Sequence, residues 1–432
     1  MHHDALDKEQ NHLARLNAIL ERRDSLGITS TETYAPVLRP RELPLFNSPD
    51  EITSILHELG ARSSSQLHCS YFGNPTALFQ GPSSSAYQAL LKNMGGPDEF
   101  RKYYGDLTGE HVIARACQEY ELAVRAGLDH YTVHFGIDYS FSDGMFSYPT
   151  SYGLDREAVL ESSLRQTAVY LRRFESHLAR VGLLTSGQKL PTIGIENAGW
   201  GLEYGIQTAG DFKRLFAYLD DVKSPLRDLV TIDWDFNHLL HALGRNAAGV
   251  ASFMLPEEER TPEMRALERE LACNPAALAA EWIRLNVRTE ELRGRVRCIH
   301  LSDCAWKTAP IFARCQAIGE YLKRLTQEAN PEARAALGEE LVVTHYDNHL
   351  FLGHERGMLE QAYIAPIFEA LRNEQGARAS TGTPLIILHE LKGYPFMPTP
   401  GEVSQEMAAQ AQVNFLKECG VFFSEARMEV RI

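Results

Sequence analysis

Short apolar runs alternate with amphipathic segments along most of the chain. Each run is β-branched or apolar and ends in polar residues, and the segment that follows it has apolar residues at helical spacing. Strands that alternate with helices in this way predict a parallel sheet. Seven runs are clear: 66–71, 131–135, 192–195, 229–233, 297–301, 341–346 and 385–388.

The positions of the ionisable residues favour a closed (β/α)8 TIM barrel over an open sheet. Nearly every run ends at, or is followed at once by, His, Asp or Glu. In a closed barrel all strand C-termini meet on one face, so these side chains would converge. A doubly wound sheet has its site at one switch point, and the sequence contains neither GxGxxG nor a GKS/T phosphate loop.

The segments around the runs predict the limits of the barrel. Residues 1–60 are expected to hold an N-terminal helical segment (4–25), a short helix (51–59) and the start of the barrel, with the first one or two strands within 26–65. The barrel is expected over 61–402, with helical insertions near 243–290 and 306–340, and a C-terminal helix and tail over 403–432. Each insertion could be a lid, a contact in a homo-oligomer or surface decoration.

Composition narrows the class of protein. Of 432 residues, 44% are hydrophobic and 23% are charged, which is typical of a globular protein. The polar start and the lack of a long apolar stretch predict a cytoplasmic protein without a membrane partner. A net charge of −14 argues against nucleic acid as a general partner but leaves a local basic groove open, and the seven dispersed cysteines predict reduced thiols.

Imidazoles and carboxylates cluster at the predicted strand ends. One such residue alone is more often structural, but burying many polar groups requires compensation that a metal provides. This mixture of ligands suits zinc, with manganese or iron as alternatives. The nine residues are His68, His134, Glu196, Asp235, His238, His300, Asp347, His349 and Glu390.

The motifs around these residues resemble the xylose isomerase-like TIM-barrel superfamily and, within it, the endonuclease IV (AP endonuclease family 2) branch. The match keeps its order from about residue 66 to 391, although the helical insertions, Leu-Lys-Gly after Glu390 and the absence of recognisable DNA-engaging loops depart from the branch. The similar segments are His68-Cys-Ser-Tyr71-Phe-Gly-Asn74, Val133-His134-Phe-Gly136, Ile195-Glu196-Asn197-Ala198-Gly199 (one residue shorter than the branch's motif), Asp235-Phe-Asn-His238, Ile299-His300-Leu-Ser-Asp303, Asp347-Asn-His349-Leu-Phe-Leu-Gly353 and Leu388-His389-Glu390.

The resemblance implies two alternative reactions and one to three divalent ions per chain. In the sugar isomerases and epimerases, a single ion is held by four shared ligands, here Glu196, Asp235, His300 and Glu390, and the two glutamates move protons. In the endonuclease IV branch, the implied cluster is larger and hydrolyses a phosphoester. There, His68 and His134 would join Glu196, which bridges two ions, and His238, Asp347 and His349 would hold a third.

The hydrolase is the leading hypothesis, with a small-molecule phosphoester as substrate and a sugar as the alternative. His349 favours it, because sugar epimerases resembling this family tend to have Arg at that place, and His68, His134 and Asp347 point the same way. Other chemistry on the same cluster, such as an iron oxygenase, and a metal-free binding protein are further hypotheses.

Several other residues have both a functional and a structural interpretation. Tyr71 could stack on a substrate or belong to the core, and Arg356 could bind a phosphate or lie in a solvated loop. Asp233 shares the strand face of Asp235, but the Asp-x-x-His spacing favours Asp235 as the ligand. Four more residues could orient ligand imidazoles, although a structural role is expected more often: Asp303, His345, His354 and His389.

Overall fold

The computed structural model describes residues 30–34, 64–69, 74–75, 81–93, 95–104, 106–137, 140–142, 145–147, 156–197, 206–247, 274–304, 330, 349–355, 357–379, 385–391, 405–423 and 430–431, with single residues between 262 and 273. The predicted helices at 4–25 and 51–59 and the run 341–346 lie outside these residues, as does the insertion at 306–340 apart from residue 330.

The described strands and helices alternate along the chain. The strands are β1 (Ser30–Tyr34), β2 (Ser64–His68), β3 (Asn74–Pro75), β4 (His130–Val133), β5 (Phe135–Ile137), β6 (Ser140–Ser142), β7 (Met145–Ser147), β8 (Thr192–Glu196), β9 (Val230–Asp235), β10 (Val296–His300), β11 (Ile386–Leu388), β12 (Phe422–Phe423) and β13 (Val430–Arg431). The helices are α1 (Ser85–Asn93), α2 (Pro97–Tyr104), α3 (Glu110–Arg125), α4 (Arg156–Arg180), α5 (Ala209–Leu219), α6 (Phe236–Ala247), α7 (Pro275–Val287), α8 (Gln361–Ala379) and α9 (Gln405–Glu418). Short 3-10 turns cover Arg227–Leu229 and Glu290–Leu292.

The chain forms two compact units. The first unit consists of Met1–Glu196 and Arg214–Asp233, and the second unit consists of Asn197–Lys213 and Trp234–Ile432. The domain boundaries expected from the sequence stay a prediction. Among the described helices, none is long and apolar enough to cross a membrane.

The first unit contains a parallel sheet in the order β1-β2-β4-β8-β9. This order follows the chain without reversal, as in a singly wound (β/α)8 barrel, whereas a doubly wound sheet reverses at a switch point. The predicted α/β fold of the TIM-barrel class is therefore confirmed. Strand β1 lies inside 26–65, where a first strand was expected.

Helix α3 illustrates how the apolar pattern builds the layer beside this sheet. Its buried apolar residues recur every three or four positions: Ile113, Ala116, Cys117, Tyr120, Ala123 and Val124. The Tyr120 ring stacks on Phe174 of α4 at 4.9 Å between centroids, and its hydroxyl donates to the Pro191 carbonyl just before β8. The helix pair thereby fixes the start of a strand that ends at Glu196.

The second unit contains β10 and β11, which pair in parallel with His300 opposite Leu388. Their side chains Cys298, Ile386 and Leu388 form a buried apolar cluster. Helix α7 packs against α6 and α8, and the Trp282 indole donates to the Leu239 carbonyl at 2.8 Å. Six of the seven predicted runs thus coincide with strands: β2, β4, β8, β9, β10 and β11.

Candidate metal centre

Three predicted ligands meet in the first unit, and we call them the first ligand group: His68, His134 and Glu196. His68 ends β2, His134 follows β4, and Glu196 ends β8. Both imidazoles approach the same carboxylate oxygen, with Nε2–Oε2 distances of 3.1 Å from His68 and 3.0 Å from His134. The Glu196 side chain is only 1% exposed. Adjacent parallel strands that end in these residues therefore bring two nitrogen donors and a buried carboxylate together.

The hydrogen bonding of His68 supports a cation in this group. Its Nδ1 lies 3.0 Å from the Cys69 carbonyl, which can only accept a hydrogen bond, so Nδ1 carries a proton. In the neutral ring Nε2 then presents a lone pair toward the Glu196 oxygen. Two lone pairs at 3.1 Å repel each other unless a second proton or a cation lies between them. A divalent ion satisfies both groups, and a backbone carbonyl on the other ring nitrogen is the usual support of a metal-binding histidine.

A buried polar layer lies beside the first ligand group, and its residues Thr132 and His130 precede His134 by two and four positions on the same strand face. His130 Nε2 is 2.7 Å from Asp233 Oδ2, and the Thr132 hydroxyl donates to the same oxygen at 2.9 Å. The other ring nitrogen of His130 lies 2.6 Å from the Thr192 hydroxyl. His130 and Thr132 therefore hold one oxygen of the Asp233 carboxylate in place. Sequence reasoning missed His130, although its position four residues before His134 places both on one strand face.

Five predicted ligands meet in the second unit, and we call them the second ligand group: Asp235, His238, His300, His349 and Glu390. Asp235 Oδ2 lies 3.5 Å from His238 Nδ1 and 3.9 Å from His349 Nδ1. Glu390 Oε2 lies 2.7 Å from His300 Nδ1, and its Oε1 lies 3.9 Å from His349 Nε2. The side chains of Asp235, His300 and His349 are at most 1% exposed.

Hydrogen bonds fix Asp235 and His238 at the start of α6. Asp235 is the residue before the helix, and its Oδ1 accepts from the His238 amide at 3.0 Å, which caps the helix and leaves Oδ2 toward the imidazoles. The Asn197 side chain accepts from the Asp235 amide at 2.6 Å and donates to its carbonyl at 3.2 Å. The His238 Nδ1 donates to the Asn197 carbonyl at 2.7 Å, so Nε2 is the nitrogen left for a ligand.

His349 has an unusual backbone. Its φ of 41° is left-handed, and in the described part of the chain no other residue except glycine has a positive φ. This conformation costs about 1 kcal/mol or more in a residue with a Cβ. The Ser302 hydroxyl contacts its Nδ1 at 3.1 Å, and Leu350 exchanges two backbone hydrogen bonds with Asp303. Backbone strain of this kind often marks a functional site.

Three of the four residues that were expected to orient ligand imidazoles lie among the described residues: Asp303, His354 and His389. The Asp303 carboxylate accepts from the backbone amides of Cys304, Met358 and Leu359, so it fixes the loop after His349. His389 Nδ1 lies 2.8 Å from Gln412 Nε2, and burial lowers the pKa of this histidine to about 4. Among the other expected residues, His354 is buried beside Phe351. Asp347, Tyr71, Arg356 and His345 lie outside the described residues.

The donor set fits divalent metal ions. In the first ligand group, and in the set Asp235, His238 and His349, one ligand atom per residue lies within 4.8 Å of the others. Ligands at about 2.1 Å from a tetrahedral zinc lie roughly 3.4 Å apart. In the first ligand group the imidazole nitrogens lie 3.1 and 3.0 Å from Glu196 Oε2, close to that separation. The side chains of His134 and Glu390 are 15% and 19% exposed, so these two are the more accessible members of their groups.

Comparisons with known proteins identify similar folds. No protein-family model matches the chain, and no curated protein is significantly similar to it. Solved structures similar to it include endonuclease IV from Thermus thermophilus (16% identity, 93% of this chain and 94% of that chain, TM-score 0.39) and an L-ribulose 3-epimerase (12%, 94% and 89%, 0.43). A xylose isomerase domain protein from Planctomyces limnophilus is also similar (14%, 93% and 92%, 0.40).

Proposed function

We propose that this protein is a divalent-metal-dependent enzyme that hydrolyses a phosphoester at a multinuclear centre. The observation that carries the proposal is the number of donors: five imidazoles and three carboxylates occupy the two ligand groups. A single-ion isomerase needs only the four shared ligands and leaves His68, His134 and His349 without a metal to bind. In the proposed centre the first ligand group holds one ion, and Asp235, His238 and His349 hold another, with His300 and Glu390 as its further ligands from the second ligand group.

The proposed chemistry assigns different roles to the two glutamates. When bound, divalent ions promote the ionisation of water and offset the negative charge of a phosphoester. Glu196 is almost fully buried between two imidazoles, so its role is to hold charge in place. Glu390 is the more exposed carboxylate, and its Oε2 lies 2.7 Å from His300 Nδ1. Glu390 accepts a proton of water as the water oxygen bonds to phosphorus and the bond from phosphorus to the leaving oxygen breaks. The leaving oxygen takes a proton from solvent, and Glu390 releases its proton to solvent.

A small-molecule phosphoester is the proposed substrate. The net charge of −14 disfavours a polyanion as substrate. Zinc as the metal, the cytoplasmic location and a homo-oligomer formed through the insertions remain predictions from the sequence.

The test is an activity assay on protein loaded with zinc or manganese. We expect cleavage of bis(p-nitrophenyl) phosphate or p-nitrophenyl phosphate, and no epimerisation of free ketohexoses. Glu390→Gln should abolish cleavage, and Glu360→Gln, which changes an exposed glutamate just before α8, serves as the matched control. Epimerisation without phosphoester cleavage would overturn the proposal in favour of the single-ion isomerase.

A further inference from the structure

A buried glutamine on the C-terminal helix hydrogen-bonds three residues that lie close in sequence to three candidate ligands. Gln412 lies on α9 and is completely buried. Its Nε2 donates to the Leu301 carbonyl at 3.0 Å and to His389 Nδ1 at 2.8 Å. Its Oε1 accepts from the Leu352 amide at 2.8 Å. One side chain therefore connects three segments that lie far apart in the sequence.

The chemistry of the partners fixes the orientation of this amide. A carbonyl oxygen can only accept and a backbone amide can only donate, so Nε2 must face Leu301 and Oε1 must face Leu352. The second proton of Nε2 then points to His389, whose Nδ1 acts as the acceptor. Both amide protons and the amide oxygen of Gln412 are thus used, and neither a carboxylate nor an apolar side chain can reproduce all three bonds.

Each partner lies next to a member of the second ligand group. Leu301 follows His300, His389 precedes Glu390, and Leu352 lies three residues after His349. These same three ligands approach one another, because Glu390 Oε2 lies 2.7 Å from His300 and its Oε1 lies 3.9 Å from His349.

A second contact docks α9 on the His349 loop. Gly353 has a left-handed φ of +85°, and a Cβ there would lie 2.4 Å from the Phe415 ring. The loop backbone therefore approaches α9 at a distance that only glycine allows. Helix α9 touches this loop through Phe415 and through Gln412.

From these contacts we infer that Gln412 is a positioning residue, which sets the relative placement of His300, His349 and Glu390 for metal binding. The inference rests on the proposed metal centre and adds the C-terminal helix to it. Removing a residue that supports a metal ligand from outside the coordination shell commonly weakens metal binding by roughly 10- to 100-fold. We expect a loss of affinity in that range for Gln412→Met, which keeps the side-chain volume and removes all three hydrogen bonds.

The experiment measures cobalt(II) binding and the visible absorption spectrum of the bound cobalt. Gln410→Met is the matched control, since Gln410 is exposed on the same helix and its side chain donates a hydrogen bond to Asn414. Gln412→Met should weaken cobalt binding by roughly 10- to 100-fold and change the spectrum, because the ligands would lose their orientation. Gln410→Met should change neither.

The outcomes separate positioning from simple bracing of the fold. If Gln412→Met lowers the urea midpoint but leaves cobalt affinity and spectrum unchanged, the inference is wrong. Should that variant not fold, Gln412→Glu keeps the acceptor for Leu352 and removes both donated bonds, and unchanged cobalt binding in it would likewise overturn the inference. If the wild type itself binds no cobalt, the proposed metal centre fails and the role of Gln412 fails with it.

Discussion

Gly194 lies where the structure leaves no room for a side chain, and Gly194→Ala tests the polar layer beneath the first ligand group. An alanine Cβ at this position would lie 1.9 Å from Asp233 Oδ2 and 2.3 Å from its Cγ. Ordinary contacts between heavy atoms need about 3.5 Å, so the carboxylate would have to move by roughly 1.6 Å. That shift would break the hydrogen bonds that Oδ2 makes with His130 and Thr132, now 2.7 and 2.9 Å long.

The expected destabilisation follows from these contacts. Each lost hydrogen bond to a carboxylate is worth about 1.5–3 kcal/mol, and overpacking a strand interior adds about 1–3 kcal/mol. Taking the lower limit for both hydrogen bonds and for the overpacking, we expect Gly194→Ala to lower the free energy of unfolding by about 4 kcal/mol or more, which is a large part of the stability of a typical domain. Urea unfolding of the metal-free protein, followed by far-UV circular dichroism, measures this loss.

Gly210→Ala is the matched control for this prediction. A Cβ at Gly210 in α5 would meet only Thr208 Oγ1, at an ordinary 3.6 Å, and alanine favours a helix by up to about 1 kcal/mol. Asp233→Ala removes the clashing carboxylate, so Gly194→Ala should cost less in that background than in the wild type. Equal costs in both backgrounds, or a loss no larger than that of Gly210→Ala, would refute the packing argument.

Three further predictions concern the ligands and their surroundings. Glu196→Gln and Glu390→Gln should each abolish turnover and leave the fold intact, and full metal content and activity in both variants would contradict their assignment. Abasic duplex DNA should be cut weakly or not at all, because the net charge is −14; efficient incision that Glu196→Gln removes would show this to be wrong. Burial lowers the pKa of His389 from 6.5 to about 4, so protons favour the unfolded chain, and the free energy of unfolding should fall by up to about 3 kcal/mol as pH drops from 6.5 to 4. In His389→Gln, which cannot titrate, that loss should be absent from a series of urea unfolding curves measured across this pH range.

The strands were predictable where apolar residues form a local run. Strands β8 and β9 have the sequences TIGIE and VTIDWD, in which the apolar stretch and the ionisable end are both visible. Strand β1 was expected only as a region, since its sequence STETY contains no apolar run. Each residue of β1 pairs with a residue of β2 that lies 34 positions further along the chain. No local sequence pattern reveals such a pairing.

The convergence of the candidate ligands was predictable from strand ends, and the contacts that support them were not. His130 begins a strand, whereas the candidate ligands lie where strands end, and its partner Asp233 is 103 residues away. The contact of Gln412 is harder still to predict, because its side chain bonds Leu301, 111 residues away, from the C-terminal helix. Such contacts depend on how elements pack together, whereas sequence periodicity describes each element alone.

The metal content per chain tests most directly whether this protein holds more than one metal ion, as we propose. Wild type and His349→Ala should be purified side by side without chelators, with His111→Ala, an exposed imidazole on α3, as the control. We expect two or three ions per chain in the wild type and in His111→Ala, and about one fewer in His349→Ala, because an ion held by three side chains loses much of its affinity with one imidazole. A single ion in the wild type, with the same content in His349→Ala, would contradict the multinuclear centre.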